Sequence, residues 1–290
     1  MKQFELVTDS SCDLPASMAA SLGVTVIPLM FTLGDKTYFN HLDGRDIPFK
    51  EVYRHLRTSM PAGTSALNMD QYKEAMEPLL RAGRDILFLS LSGALSSTYA
   101  CGVATAEELS AQYPGRVVRC VDTRCASLGQ GLLVYSCANL MNEGKSLREV
   151  EAFAAENLSK LNHWFTCDTL HRLRQGGRIS TSSAFFGEML NIKPVLRLNE
   201  EGRLVNMAKA RGRNASISAL ADKVAERIVN PAGQTVFISH GDCEGDVQKL
   251  IHKISAKVRV KGFEVSYVGP VLGAHAGAGV LAVFFYGEGR

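Results

Sequence analysis

Ser90-Leu-Ser-Gly-Ala-Leu-Ser-Ser-Thr-Tyr99 follows the short apolar run Arg84-Asp-Ile-Leu-Phe-Leu89 and precedes Ala100-Cys-Gly-Val-Ala-Thr-Ala-Glu-Glu-Leu109. The run before it reads as a buried strand, and the segment after it has the composition and spacing of a helix. A strand therefore ends in a hydroxyl-rich, glycine-containing turn from which a helix starts. Unpaired backbone N–H groups and the positive helix end face such a turn, with the Ser96, Ser97 and Thr98 hydroxyls beside them. A phosphate or a carboxylate fits there. Read alone, any one of these serines is a helix cap, so an anion site requires other segments to converge on the same turn.

Several do. The strand 4–8 runs into Thr8-Asp-Ser-Ser-Cys-Asp-Leu-Pro15, where Asp9, Ser10, Ser11 and Asp13 crowd one turn before a helix over 16–22 that ends at Gly23. These short polar side chains either meet a ligand or satisfy turn donors. A β-rich run covers 24–31, a hairpin 33–38, and a helix with Asp46 as its N-cap reaches Leu56. Residues 60–66 read as a loop ahead of a helix over 69–82, with Thr64 and Ser65 as a second hydroxyl pair. The strand 117–121 leads through a polar, glycine-bearing turn, 122–131, into a helix over 132–142. Strands alternating with helices, with the chemistry in the strand-end loops, predict an open parallel sheet with its ligand beyond the carboxyl ends. No G-x-G-x-x-G follows the first strand and no G-x-x-x-x-G-K-[ST] occurs, which argues against a dinucleotide and a P-loop nucleotide.

The first domain closes near Gly144, giving units of 1–145 and 146–290. Ser146-Leu-Arg-Glu149 is a capping box that opens a helix running to about residue 161. Beyond it the pattern predicts a strand at 164–168, an apolar helical stretch at 184–190, and a hairpin of 195–198 with 203–207 around Asn199-Glu-Glu-Gly202. Helices at 215–229 and 246–258 then alternate with strands at 235–240 and 263–268. The hairpin makes this half α+β with a mixed or antiparallel sheet. Gly269-Pro-Val-Leu-Gly-Ala-His-Ala-Gly-Ala-Gly279 reads as a glycine-rich loop before a β-rich segment, 280–286. Permissive backbone there lets His275 either approach a bound group or bond nearby backbone.

Composition narrows the function classes. The chain has 290 residues, 46% of them hydrophobic and 21% charged, as in ordinary globular proteins with a sizeable core. A net charge of +3 without a basic run gives no electrostatic footprint for nucleic acid. No uninterrupted apolar stretch is long enough to span a membrane, and no apolar leader opens the sequence, so a cytoplasmic protein is expected. Seven scattered cysteines without a C-x-x-C pair, and seven dispersed histidines, indicate neither a disulfide framework nor a metal site. No cofactor is expected. Local signatures assemble no Ser/His/Asp set. From residues alone, hydroxyls, backbone donors and one histidine bind a small anion better than they transform it.

Taken together, the motifs resemble the DegV family. The likeness rests on Thr8-Asp-Ser-Ser-Cys-Asp-Leu-Pro15, Thr64-Ser65, Leu95-Ser-Ser-Thr-Tyr99, and Asp122-Thr123 with Ser127 and Gly131. It continues through Gln175-Gly-Gly-Arg-Ile-Ser180, Lys193-Pro194, Ala210-Arg-Gly212 and the 269–279 segment, in family order over the whole chain. The resemblance implies a two-domain α/β protein, a Rossmann-like parallel-sheet domain plus a smaller α+β domain, holding a long-chain fatty acid of roughly the C16–C18 class in a tunnel between them. It implies that Thr64 and Ser96 hold the carboxylate with His275 close by. Ser65, Ser97, Asp9 and Ser10 are the further expected ligand contacts. It implies a non-catalytic carrier that presents the carboxylate to a fatty acid kinase for acyl phosphate formation and phospholipid synthesis, with Arg178 or Arg211 touching the kinase. Transient membrane contact is compatible with that role. The alternatives are a hydrolase or acyltransferase using Ser96 with His275, and a lipid sensor without a kinase. Three positions depart from the family pattern. Ala66 replaces a proline after Thr-Ser, Ser97 replaces the glycine of Leu-Ser-Gly-Thr-Tyr, and Ala278 replaces the proline of a Gly-Pro-Gly. The apolar segments 26–31 and 184–190, with Phe185, Phe186 and Met189, are expected as either tunnel wall or ordinary core.

Overall fold

The structure, a computed structural model, describes residues 4–58, 60–179 and 191–290. The first half runs β1 (Phe4–Asp9), α1 (Ala16–Leu22), β2 (Thr25–Ile27), β3 (Met30–Leu33), β4 (Lys36–Phe39), α2 (Phe49–Leu56), β5 (Ala62–Ser65) and α3 (Met69–Arg81). It continues with β6 (Asp85–Ser90), α4 (Thr98–Gln112), β7 (Val118–Asp122) and α5 (Leu128–Asn142). The second half runs α6 (Leu147–Asn157), β8 (Leu161–Thr166), α7 (His171–Gln175), β9 (Ile192–Leu198), β10 (Leu204–Arg211) and α8 (Arg213–Arg227). After these come β11 (Thr235–His240), α9 (Glu244–Ser255), β12 (Gly262–Tyr267), α10 (Pro270–Ala276) and β13 (Leu281–Tyr286).

β1 and β6 are buried on both faces, as central parallel strands are. They pair in parallel within a four-stranded sheet of order β2-β1-β6-β7. Their carboxyl ends carry the polar turns. The run 24–31 is not one strand. Pro28 has no N–H for a ladder, so the chain leaves the parallel sheet after Ile27 and β3 joins a three-stranded antiparallel sheet, β4-β3-β5. The β3–β4 hairpin turns at Gly34 with φ 56°. Residues 62–65, expected as loop, form β5, and the pairing of Phe31 with Thr64 fixes where Thr64 stands. Asp46 does not cap α2. The helix starts after Pro48, and the Asp46 carboxylate accepts the Phe39 N–H at 2.9 Å.

The capping box forms as the sequence predicts: Ser146 Oγ accepts the Glu149 N–H, and Glu149 accepts the Ser146 N–H. The second sheet is six-stranded and mixed, in the order β10-β9-β8-β13-β11-β12, with only β11 and β12 parallel. Strand alternation divides its faces. Trp164, Val283 and Ile238 pack with Ile217 and Leu250 of α8 and α9. Phe165, Ala282 and Phe284 face the other way into a core continuous with the parallel sheet. α5 lies between the two sheets, packed on β1 and β6 and also on β8, β11 and β13. Burial on all sides explains why its sequence has no polar stripe. The 269–279 segment is α10 rather than a glycine loop. Pro270 occupies the first helical turn, where its missing N–H costs nothing, and Gly277 closes the helix at φ 82°.

Candidate ligand-binding site

A cavity of about 320 Å³ lies between the carboxyl ends of the parallel sheet and the inner face of the six-stranded sheet. Leu29, Leu91, Phe165, Leu198, Val271 and Phe284 are among the side chains that make its wall mainly apolar. Of the segment 26–31 expected along a tunnel, Leu29 reaches it. The segment 184–190, with Phe185, Phe186 and Met189, lies outside the described residues.

Hydroxyls and one cation meet on the same wall: Thr64, Ser65, Ser96, Ser97, Arg178 and His275 all line the cavity. β5 supplies the Thr-Ser pair, the turn before α4 supplies Ser96 and Ser97, and the last turn of α10 supplies His275. Thr64 Oγ1 and His275 Nε2 are 2.8 Å apart. Burial, and then the Arg178 guanidinium, push the His275 pKa down to about 4, so its ring is neutral at pH 7. The ring packs on Gly176, where an added Cβ would stand 2.5 Å from His275 Nδ1. Ser96 Oγ accepts the Thr98 N–H at 3.2 Å and lies 2.9 Å from Thr98 Oγ1. It thus caps α4 and still faces the cavity. Ser97, at the N-cap position, makes no side-chain cap bond.

Arg178 donates through Nε to Leu95 O at 3.1 Å and through Nη1 to Gly176 O at 2.5 Å. It ties the loop after α7 to the turn before α4. Among the described residues it is the cationic side chain on the cavity wall, and no carboxylate lines that wall. An uncompensated positive charge beside hydroxyl donors favours an anion. Arg211, the other arginine singled out in the sequence, is exposed at the end of β10 and does not reach the cavity.

Asp9 and Ser10, expected among the ligand contacts, stand behind the turn instead of on the wall. The Asp9 carboxylate accepts the N–H groups of Ser11 at 3.0 Å and Leu91 at 2.8 Å, and Gln130 Nε2 at 3.1 Å. Ser10 Oγ accepts the Leu29 N–H at 3.0 Å. Both are fully buried and stitch β1 to neighbouring segments. Apart from Arg178, expected only as a kinase contact, three polar residues on the wall carried no expectation as ligand contacts: Ser127, His163 and Ser239. Only Ser127 had a signal, as a member of the Asp122-Thr123 motif.

Among the described residues no group of three or more His, Cys, Asp or Glu could hold a metal ion. No described helix is long and apolar enough to cross a membrane.

The model of the DegV family, described as uncharacterised, matches residues 3–288. A DegV domain-containing protein of Clostridium perfringens is 43% identical over 288 residues, covering 99% of both chains. A DegV family protein from Thermus thermophilus, whose structure is described for fatty acid binding, superposes with a TM-score of 0.85. It is 31% identical, over 98% of this chain and 99% of its own. DegV of Bacillus subtilis, described as a fatty acid binding protein, gives a TM-score of 0.84 at 25% identity over 99% and 100% of the two chains.

Proposed function

Since the chain belongs to the DegV family, we propose that it binds a long-chain fatty acid in this cavity, without transforming it, and presents the carboxylate to a partner fatty acid kinase in the cytoplasm. The observation that carries the reading is the cavity itself: mainly apolar, with hydroxyls, a neutral histidine and, among the described residues, one arginine and no carboxylate on its wall. Residues 1–145 and 146–290 act as the two units that enclose the acid.

The carboxylate accepts from Thr64 and Ser96, each bond being worth about 1.5–3 kcal/mol as a charge-assisted contact. His275 orients this pair. With its neutral ring donating Nε2–H to Thr64 Oγ1, the Thr64 proton is free to point at the ligand. Arg178 supplies the opposite charge. The acyl chain adds about 0.8 kcal/mol per buried CH2, so the tail sets most of the affinity. A hydrolase built on Ser96 and His275 is disfavoured by the pairing pattern, since Ser96 Oγ bonds to Thr98 and His275 Nε2 to Thr64. Arg178 and the exposed Arg211 are the proposed kinase contacts.

Mass spectrometry of the organic extract of the purified protein should find a fatty acid at near one per chain. The Thr64→Ala/Ser96→Ala variant should bind added acid at least about tenfold more weakly. Loaded protein given ATP and the kinase should yield acyl phosphate. An empty extract, still empty after incubation with fatty acids, would sink the reading.

A further inference from the structure

A second, larger cleft of about 790 Å³ begins past the last turn of α10. Ala276 belongs to the walls of both the cavity and the cleft, so that turn stands between them. The cleft is mainly polar, and both halves of the chain build it. Arg57 comes from the end of α2, Arg172 from α7 and Arg213 from the start of α8.

Three carboxylates reach the cleft, and each is already paired. Asp242 Oδ2 lies 2.5 Å from Arg57 Nη1, Asp246 Oδ2 lies 2.8 Å from Arg213 Nε, and Asp168 Oδ1 lies 2.7 Å from Lys193 Nζ. Lys249 Nζ shares Asp246 at 3.0 Å. Arg172 is left over. Its Nη2 donates to Leu56 O at 3.0 Å and Thr58 O at 3.4 Å, at the end of α2. Among the described residues its Nε and Nη1 have no acceptor, and no carboxylate pairs with it. Five cations thus stand against three carboxylates, an excess of two positive charges around a concave polar site. His171 and Gln175, on the same helix as Arg172, line the cleft with exposed side chains that make no hydrogen bond among the described residues.

We propose that this cleft is a second ligand site, for a small soluble phosphate monoester, with Arg172 as its main contact. A phosphate monoester carries about −1.5 to −2 charges at pH 7, which matches the excess. A guanidinium with two free nitrogens presents the paired donors that phosphate oxygens accept. His171 and Gln175 suit a hydroxylated body rather than an acyl chain, so the site is separate from that of the acid and does not rest on it. The test is calorimetric titration of the protein as purified with ribose 5-phosphate, with ribose as the uncharged control. Ribose 5-phosphate should bind at one per chain, at least about tenfold tighter than ribose, and Arg172→Gln should remove that advantage. In proton–nitrogen NMR of the natural protein, which needs no variant, it should shift the backbone signals of 169–175 and 276–279 and leave those of Ser65, Ser97 and Arg178 in place. No binding at millimolar ribose 5-phosphate overturns the proposal, as does an affinity unchanged by Arg172→Gln. Shifts confined to Ser65, Ser97 and Arg178 would move the phosphate to the acid site and overturn the cleft. Cosedimentation with phosphatidic acid vesicles, without binding of ribose 5-phosphate, would put the phosphate on a membrane and overturn the soluble ligand.

Discussion

Asp13 carries a proton that the unfolded chain gives up near its ordinary value of 3.8, whereas burial holds it in the folded protein to about 8. Its contribution to stability is therefore complete below about pH 4 and is lost as pH rises toward 8. Burial raises Asp9 too, so its contribution has the same sign. Urea midpoints of Asp13→Asn should fall less steeply than those of the natural protein between pH 4 and 8, and parallel curves would refute the assignment. The backbone of Ser127, held at φ 54° and ψ −147°, costs about 1–3 kcal/mol, which the contact of its hydroxyl with Asp13 helps to offset. At this scale the sequence pointed to the cavity wall wherever a hydroxyl pair or a lone histidine was read beside a turn, as with Thr64, Ser96 and His275. It was not legible at Asp9, because a short acid after a strand looks the same whether it meets a ligand or a backbone N–H. Ser239 and His163 gave no sign, since alternation along a strand does not tell which face meets a cavity.

α10 is set by two contacts rather than by its composition. Gly273 lies against the buried Tyr53 of α2, where a Cβ would come within 2.7 Å of Tyr53 Oη, and that hydroxyl donates to Val268 O at 2.5 Å. Gly273→Ala should push α10 outward and carry His275 with it. We expect a stability loss of about 1–3 kcal/mol and fatty acid binding weakened several-fold in calorimetry, and unchanged affinity would show that this contact does not place His275. The capping box of α6 was readable because two residues at fixed spacing suffice for it. α10 was not, because its glycines resemble those of a loop until Tyr53 and Gly176 supply the reason for each close approach. Pro28 divided a β-rich run between two sheets for a cause that was visible, a missing donor, but the second sheet that receives β3 was not.

Arg290 binds segments far apart in the chain. Its guanidinium donates to Leu161 O at 3.0 Å, Arg124 O at 2.7 Å, Asn199 O at 3.0 Å and Thr123 O at 3.4 Å, and it is nearly buried. Arg290→Ala removes charged hydrogen bonds and strands buried carbonyls, so it should lower stability by at least about 2 kcal/mol. A change below about 0.5 kcal/mol in urea unfolding would mean that the clasp is incidental. The alternation of strands and helices told the class of the parallel sheet, and the hairpin around Asn199-Glu-Glu-Gly202 that of the six-stranded one. The order of the strands was hidden, because it depends on pairings between distant segments. That order has a bearing on synthesis. β13 follows every other described strand, yet it sits between β8 and β11 and brings Ala282 and Phe284 to the cavity wall. As the polypeptide leaves the ribosome, α5 emerges with its second covering sheet still unmade. That sheet stays split into two pieces until its middle strand arrives. The cavity wall therefore cannot be complete before β13 has been made and has paired with both of its neighbours.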